Sequence, residues 1–374
     1  MKKILVVSPV QTPPVSSGSQ KCIYEYCELL RAIGFEVYFL YIKGQNEVEK
    51  QLKNYWGDRL FIYKRNFILD VFKRGFIECR KKISGYNAID DLYPIGLTHY
   101  VDTLQKKNNF DAIIINYAIL SKLFTSKLNC KKILYAHDCL SFKKQRLNVK
   151  QFWIDLTPNQ EAKGLQRCDT VLSIQENEAI YFKYLYPQGN IVTVYSNFKV
   201  GRQTITGNKN ILFLSGKSIL NVNGIHYFIT EVFPLILEEE PEVQLVIGGS
   251  ICDVLPQIEN SNIKLLGRID EEEKFYEMGD IAINPIYQGT GLKIKTFEAL
   301  AYGKVTIVHP HSAEGIYQPQ KAPVFIGHTP QEFAKHVVDA LSDIKLRKLY
   351  SDKAVAYIQD LNLFIERQYH QILL

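Results

Sequence analysis

The sequence predicts an α/β protein built from two doubly wound, Rossmann-like domains that face a central cleft. Two observations carry this prediction. Short apolar runs alternate with amphipathic stretches along the chain, and a polar segment near the middle interrupts that rhythm. Continuous runs of Val, Ile and Leu separated by helices are typical of parallel sheets covered on both faces. A chain of 374 residues is long enough for two domains of ordinary size.

The first domain is predicted to cover residues 1–200. It opens with the strand KILVVSP, a helical pattern over residues 21–33 and a second strand, EVYFLYI. Further strands are predicted at DAIIIN, KKILYAHD, DTVLSI and NIVTVYSN. The N-terminal apolar run is short and stops at Pro9, so we interpret it as a buried strand and not as a signal peptide.

The second domain is predicted to cover residues 201–374. The polar stretch VGRQTITGNKN has no apolar period and is interpreted as the linker that leads into it. Strands then follow at ILFLSG, VQLVIGG, IKLLG, IAINPI, VTIVHP and APVFIG. From Pro330 onward the pattern is helical, and these C-terminal helices are candidates to pack back on the first domain.

The composition excludes several classes of protein. No apolar run reaches the roughly 18 residues that a membrane span needs. Seven cysteines without a CxxC pair indicate reduced thiols and a cytoplasmic protein, not a disulfide framework or a zinc site. A formal charge of +6 suits a phosphate-bearing ligand or an anionic membrane surface and does not require nucleic acid.

The stretch NPIYQGTGLKIKTFEALAYGK, residues 284–304, is the strongest candidate site. A strand, IAINPI, leads into the loop YQGTG, whose two glycines let the backbone approach a ligand closely. A helix is predicted to begin near Leu292 and to end before Gly303. Helix N-termini hold phosphate groups, and Lys293 and Lys295 add positive charge nearby. Ligands beyond the carboxyl ends of parallel strands are the rule in such domains.

Residues 291, 295 and 298 share one face of this predicted helix, which puts Lys295 between the glycine loop and Glu298. A diphosphate at the loop would leave its ribose a short distance further along, where a carboxylate can accept bonds from two hydroxyls. The loop and lysine would thus hold a diphosphate, and Glu298 the sugar of a nucleotide. The alternative is a surface i,i+3 pair worth about 0.2–0.5 kcal/mol.

GTGLKIKTFEALAYGKVTIV resembles the donor-site motif of retaining glycosyltransferases of the GT-B fold, in the large family-four group (glycosyl transferases group 1). It is most similar to the subgroup with the pattern G-x-G-L-K-x-K…E-A-x-A-x-G. The segments GKSILNVNGIHYFITEVFP, VQLVIGGS, IKLLGRID and HSAEGI agree in the same order. In the first domain the resemblance is looser and rests on the glycine loop after strand one, AHDCLS and VTVYSN.

The resemblance implies donor-site roles in the second domain. Glu298 would bind the ribose, and Lys217 and Lys295 would act catalytically on the diphosphate. Thr290 stands where the family usually has the first glutamate of a Glu-x7-Glu pair, so Gln288 or the loop backbone would have to contact the donor sugar. The remaining donor-binding residues implied are Gly289, Thr290, Gly291 and Leu292.

In the first domain the resemblance points to Gly18, His137 and Asp138. Gly18 ends the turn-rich stretch PPVSSG after strand one, and this single glycine argues against the G-x-G-x-x-G fingerprint of a dinucleotide cofactor. His137 would contact the donor sugar and act in catalysis, with Asp138 on the acceptor side; the alternative for the histidine is an ordinary buried loop residue.

We expect the enzyme to need no metal and no cofactor. His309 and His311, in HPHS, have a spacing that suits a metal but no further clustered ligands, so a plain loop is the interpretation. The sequence IDD at residues 89–91 lacks the strand context of a D-x-D metal motif.

Residues 50–82 form a basic, aromatic segment that contains ten Lys or Arg residues, Lys50 and Lys82 included. Its apolar residues Ile68, Phe72, Phe76, Cys79 and Ile83 share one predicted helical face, and its basic flanks are Lys73, Arg74, Arg80 and Lys81. Such a helix can lie on an anionic membrane. The alternative is a helix that faces the core and has a solvated basic rim.

These inferences predict a cytoplasmic glycosyltransferase, peripheral on the inner face of the membrane. It would use a nucleotide-sugar donor and a glycan or lipid-linked acceptor, with retention of configuration, in the assembly of cell-surface polysaccharide or glycolipid. Two alternatives stay open: a nucleotide-sugar epimerase of the same fold, and a non-catalytic partner subunit that has kept the fold.

Overall fold

The computed structural model of the chain describes residues 1–13, 15, 18–43, 49–256 and 259–374. The chain divides into two compact units. The first unit comprises Met1–Asn197 together with the C-terminal Ile365–Leu374, and the second comprises Phe198–Phe364. Each unit is an α/β structure around one parallel sheet.

The sheet of the first unit has seven strands: β1 Lys3–Ser8, β2 Glu36–Lys43, β3 Leu60–Lys64, β4 Ala112–Asn116, β5 Lys131–Tyr135, β6 Thr170–Ser173 and β7 Ile191–Thr193. Their spatial order is β3-β2-β1-β4-β5-β6-β7, and all pairs are parallel. The six predicted strands are confirmed. Strand β3 was not predicted; it is an edge strand in which every residue keeps some exposure and in which apolar and basic residues mix.

Seven α-helices accompany this sheet in the described residues: α1 Gly18–Ala32, α2 Glu49–Trp56, α3 Phe67–Ser84, α4 Leu97–Asn108, α5 Lys143–Leu147, α6 Pro158–Leu165 and α7 Glu176–Leu185. Local signals set their ends. Asn66 caps α3 by accepting a hydrogen bond from the Leu69 amide over 3.3 Å, as short polar side chains at this position do. Gly85, with φ of 76°, ends the same helix.

The second unit has six parallel strands, β8 Asn210–Leu214, β9 Gln244–Gly248, β10 Ile263–Leu265, β11 Ile281–Asn284, β12 Val305–Val308 and β13 Val324–Ile326. All six were predicted, and their order is β10-β9-β8-β11-β12-β13. The helices are α8 Ile219–Tyr227, α9 Phe233–Glu239, α10 Glu272–Tyr276, α11 Ile294–Ala301, α12 Pro310–Ala313, α13 Pro330–Ser342 and α14 Ile344–Leu373, of which the part from Ile365 onward belongs to the first unit. A π-helical turn, Phe228–Val232, joins α8 to α9.

Both sheets are buried along their central strands, as the continuous apolar runs predicted. Every residue of β4, β11 and β12 is buried. Within the described chain, the helical stretch Ile219–Glu239 is the only one whose length and apolar composition would suit a membrane span. Its residues Phe228, Val232, Phe233 and Ile236 pack into the core of the second unit, so we assign it as a core helix.

The polar segment predicted as a linker packs on the second unit. Gly201 donates its amide hydrogen to the carbonyl oxygen of Ala301 over 3.1 Å. The amides of Thr206 and Gly207 donate to the Asp280 carboxylate over 2.9 and 2.7 Å. Asp280 also pairs with Arg347 of α14 over 2.9 Å, and both side chains are buried. Through these contacts Asp280 holds both the polar segment and α14 at the start of β11.

Candidate active site

The glycine loop follows β11, as predicted, and a buried hydrogen-bond frame supports it. The side-chain amide of Asn284, the last residue of β11, donates to Thr296 Oγ1 of α11 over 2.9 Å. Thr296 donates to the carbonyl oxygen of Ser312 over 3.2 Å, and Ser312 Oγ donates to the carbonyl oxygen of Ile286 over 2.7 Å. The frame fixes where the loop leaves the strand and where α11 begins.

Gly289 and Gly291 have φ of 130° and 74°, values that favour glycine because a side chain there is strained. A Cβ on Gly289 would meet Leu220 Cδ1 at 3.4 Å and His311 Nε2 at 4.0 Å. The loop thus runs close to the start of α8 on one side and to α12 on the other. The helix begins at Ile294, within two residues of the predicted start.

Lys295 lies in the first turn of α11 and is half-buried. Its Nζ donates to the Asn221 side-chain oxygen over 3.3 Å. Burial lowers the pKa of Lys295; the Glu298 carboxylate acts in the opposite direction, and the charge of Lys293 lowers the pKa further. The Glu298 carboxylate therefore lies near Lys295, and the predicted contacts of the two side chains with a nucleotide stay predictions.

Lys217 is exposed in the loop between β8 and α8. Asn221 organises that loop, because its side-chain amide donates to the carbonyl oxygen of Gly216 over 2.7 Å. The Ser218 side chain caps α8 by accepting a hydrogen bond from the backbone amide of Asn221. The loop that carries Lys217 and the helix that carries Lys295 therefore meet at one amide side chain.

Two residues at this edge of the sheet were not predicted to belong to the site. Asn221 lies inside a longer segment that resembles the family, and nothing about an asparagine in the first turn of a helix marks it as a partner of Lys295. His311 was interpreted as part of a plain loop, but it lies against Gly289 and pairs with Glu314 over 3.1 Å. Its pKa is lowered, first by burial and then by the charge of Lys293.

Gly18 begins α1, at the carboxyl end of β1, and is exposed. The predicted turn-rich connection can be followed only in part, since Pro14, Ser16 and Ser17 lie outside the described residues. One turn into the helix, Cys22 lies 3.7 Å from His137, measured from Sγ to Nδ1. The start of α1 and the loop after β5 are therefore neighbours within the first unit.

The imidazole of His137 is buried, with 8% of the residue exposed. Its Nε2 hydrogen-bonds the Asn116 side-chain oxygen at 2.7 Å, and the ring stacks on Tyr135 with 4.2 Å between centroids. Burial lowers its pKa to about 3, so the ring is neutral near pH 7. The backbone has φ of 58°, a strained value for a residue with a side chain. The predicted contact of this ring with a donor sugar stays a prediction.

Asp138 is partly exposed and forms an ion pair with Lys143 of α5. Among the described residues, its Oδ1 has no hydrogen-bond partner. The same cluster includes Glu178, in the first turn of α7, whose pKa is raised to about 8 by burial and then by the charge of Asp138. The Glu161 carboxylate stabilises the loop that follows Asp138, because it accepts hydrogen bonds from the backbone amides of Leu140 and Ser141 over 2.7 and 2.9 Å.

The predicted residues thus form two clusters, one in each unit. In the second unit the glycine loop, Lys295, Glu298 and the Lys217 loop come together, with Asn221 and His311 added to them. In the first unit Gly18, His137 and Asp138 lie at the carboxyl edge of the sheet. Across the parts of the chain that the structure describes, no group of three or more His, Cys, Asp or Glu side chains is arranged to hold a metal ion.

Comparison with known proteins identifies the second unit. Residues 208–343 match the family model described as glycosyl transferases group 1. An uncharacterized 44.6 kDa protein in the cps region of Klebsiella pneumoniae is 23% identical over 96% of both chains. An uncharacterized glycosyltransferase of Methanocaldococcus jannaschii is 24% identical over 105 residues, 27% of each chain.

The whole chain also has the fold of solved glycosyltransferase structures. S. aureus TarM superposes with a TM-score of 0.73 at 11% identity, covering 100% of this chain and 99% of TarM. Anabaena HepE, solved in complex with UDP, gives 0.71 at 14% identity with the same coverage. The chain therefore has the GT-B fold, and its residues 208–343 match the glycosyl transferases group 1.

Proposed function

We propose that this glycosyltransferase moves a sugar from a nucleoside diphosphate to an acceptor hydroxyl with retention of anomeric configuration. One observation carries the donor assignment. The glycine loop at Gly289 and Gly291 adjoins the half-buried Lys295, which Asn221 ties to the loop of Lys217. Backbone amides, a helix start and lysines in one place suit a diphosphate. The resemblance of the loop to retaining enzymes supports retention.

In this reaction the bond between the anomeric carbon and the leaving phosphate oxygen breaks. A bond to the acceptor oxygen forms, and the acceptor hydroxyl loses its proton. Negative charge grows on the departing diphosphate. Fixed donors aimed at such charge are commonly the largest catalytic contribution, and we assign this role to Lys217, Lys295 and the loop amides. These groups would neutralise the diphosphate without a metal ion.

The other donor contacts follow from position. Glu298 would accept hydrogen bonds from the ribose hydroxyls. The loop residues Thr290 and Leu292 would line the diphosphate. Because Thr290 supplies no carboxylate, Gln288 or the loop backbone would contact the transferred sugar. His137 and Asp138 of the first unit would serve the donor sugar and the acceptor.

Relatives suggest the donor and the process. HepE has been solved with UDP and with UDP-glucose, so a uridine diphosphate sugar is the first donor to test. The Klebsiella relative, from a cps region, supports a role in surface polysaccharide or glycolipid assembly. We place the enzyme in the cytoplasm at the inner face of the membrane, where a lipid-linked glycan acceptor would be reached.

A thermal-shift panel of nucleoside diphosphates and nucleotide sugars tests the donor site. A ligand at 100 times its dissociation constant adds about 2.7 kcal/mol of stability. We expect UDP to raise the melting temperature more than UMP does, because UMP lacks the second phosphate and the contacts that it would make. If no nucleotide in the panel shifts the melting temperature, the donor assignment is wrong.

Turnover then separates the classes of function. A transferase consumes donor sugar into an acceptor product, and NMR of the first product gives its anomeric configuration. An epimerase would convert the donor without any acceptor, and a non-catalytic subunit would show neither reaction. An inverted product would remove the assignment of retention but leave the donor site intact.

A further inference from the structure

Helix α3 is attached to the first unit through polar contacts. Lys73 Nζ donates to the carbonyl oxygens of Asp90 and Tyr93 over 3.1 and 2.6 Å, and Arg80 forms an ion pair with Asp91. Two of the four basic residues predicted to flank the apolar face, Lys73 and Arg80, are therefore turned inward. Among the apolar side chains described on α3, Ile77 alone is buried.

The apolar face of α3 points outward instead. The exposed fractions are 66% for Ile68, 76% for Phe72, 72% for Phe76 and 90% for Ile83. Leu69 and Val71 are exposed as well, at 43% and 48%. The interpretation of α3 as a core-facing helix is therefore wrong, because the helix packs with its polar side on the domain and presents its apolar side to the surroundings.

The charge beside this face is positive. Arg74 and Lys82 are exposed and Lys81 is partly exposed, against one exposed acid, Glu78. A second copy of the chain on this face would bring like charges together, which disfavours association. An anionic surface would instead be attracted to the basic residues while the apolar rings leave water.

We propose that α3 binds the enzyme to a bilayer containing anionic phospholipid. The helix has 18 residues, about 27 Å at 1.5 Å per residue, and would lie in the plane of the interface. Phe72 and Phe76 insert among the acyl chains, and Arg74 and Lys82 contact the headgroups. This anchoring rests on the proposed function at the inner face of the membrane. Vesicle binding is measured without turnover or a nucleotide, so its failure would leave the donor assignment intact.

Co-sedimentation of the full chain with vesicles tests the proposal. We expect binding to phosphatidylglycerol-rich vesicles at low salt and weak binding to pure phosphatidylcholine. Near 1 M salt, where the Debye length is about 3 Å, binding to the anionic vesicles should fall toward the neutral level. Equal binding to both vesicle types at low salt would overturn the anionic assignment.

Two pairs of substitutions locate the surface. Phe72→Ser with Phe76→Ser should lower the vesicle partition coefficient about tenfold or more, since it removes the inserted rings. Arg74→Glu with Lys82→Glu should lower it on anionic vesicles by about twentyfold or more, because each basic residue near the surface contributes about fivefold. Neither pair disturbs the inward contacts of Lys73 and Arg80.

A matched control comes from α7 in the same unit, where Ile180 and Tyr184 are 65% and 80% exposed. Ile180→Ser with Tyr184→Ser removes comparable exposed apolar surface and should leave vesicle binding unchanged. Wild-type binding by the Phe72/Phe76 double variant would overturn the proposal. The proposal would also be overturned if the wild type binds no vesicles and forms a dimer in sedimentation velocity that this variant abolishes. A second copy of the chain would then cover the face.

Discussion

Lys295 of α11 and Asn221 of α8 are joined by a hydrogen bond of 3.3 Å from Nζ to Oδ1. The same amide holds the carbonyl oxygen of Gly216, beside Lys217. One side chain thus connects the loop that follows β8 to the helix that follows the neighbouring strand β11. The direction of the Lys295 side chain depends on its hydrogen bond to Asn221. Its charge depends on the few groups around it, because burial lowers its pKa.

Lys295→Ala should reduce turnover by about 10²–10³, or about 3–4 kcal/mol, because a fixed donor to the leaving diphosphate is lost. Lys293→Ala, two residues earlier, is the matched comparison and should have a smaller effect. Steady-state kinetics of both variants, with circular dichroism as the check of folding, decides this. Wild-type turnover by Lys295→Ala would remove the lysine from the mechanism.

Asn221→Ala extends that test to the positioning residue. We expect a loss of turnover of about tenfold from the lost anchor of Lys295, and little further loss when Lys295→Ala is already present. Residues that act through one another give non-additive effects in such a cycle. Additive losses would mean that Asn221 acts independently of the lysine.

Glu298→Gln should weaken binding of the nucleotide-sugar donor by roughly 1.5–3 kcal/mol, because a charged acceptor for two hydroxyls is replaced by a neutral amide. Isothermal titration calorimetry measures the affinities of wild type and variant for UDP and for the free base. Affinity for uracil should not change, since it lacks the ribose. Equal donor affinity in wild type and variant would separate Glu298 from the site.

Chelation of divalent metals should leave the transferase active. The proposed donor site would provide glycine amides and lysines for the diphosphate, whereas metal-dependent transfer requires carboxylates that hold an ion. Turnover is measured after dialysis against excess chelator and again after adding Mg²⁺ or Mn²⁺. Reversible loss of activity would show that an ion, and not the lysines, carries the neutralising charge.

Much of the fold was predictable because parallel strands buried on both faces have distinctive apolar runs. The edge strand β3 lacked that signal, since its residues LFIYK keep partial exposure. The loop at Gly289 and Gly291 could be singled out as a candidate site because glycines, lysines and a glutamate lie within a few residues of one another. Asn221 is 74 residues from Lys295 in sequence, and no local pattern connects such a pair.

Side-chain direction was the harder problem. The periodicity of α3 gave the correct set of apolar residues but could not tell which side the domain would cover. The contacts of Lys73 and Arg80 with other segments decided that, and they depend on long-range packing. Similarly, the position of His137 after β5 did not reveal that its ring turns inward to Asn116.

The buried pair of Asp280 and Arg347 should be essential for the stability of the second unit. Removing one partner of a buried ion pair typically costs about 3–5 kcal/mol, because the other charge stays buried and uncompensated. We expect Arg347→Met to lose that much in urea unfolding. Arg202→Met is a matched control, since Arg202 pairs with Asp352 at the surface and exposed pairs contribute about 0–1 kcal/mol. Equal losses in both variants would contradict this prediction.

Glu178 should make the stability of the chain depend on pH. Burial raises its pKa in the folded state to about 8 from a usual value of 4.5, so between these values the folded state binds a proton that the unfolded state has released. The stabilisation is present below pH 4.5 and is lost as pH rises toward about 8. Glu178→Gln, which stays neutral, should therefore gain stability relative to wild type over that window, by up to about 1.4 kcal/mol per pH unit.

Urea unfolding at several pH values from 4.5 to 9 measures the difference between variant and wild type, in which the titration of groups that do not interact with Glu178 cancels. The difference should grow through the window and level off above about pH 8. Glu176→Gln, exposed in the same first turn of α7, is the control and should give a nearly constant difference. A constant difference for Glu178→Gln as well would mean that the carboxyl beside Asp138 is already ionised throughout, and that its negative charge is balanced within the cluster by Lys143 and Arg146.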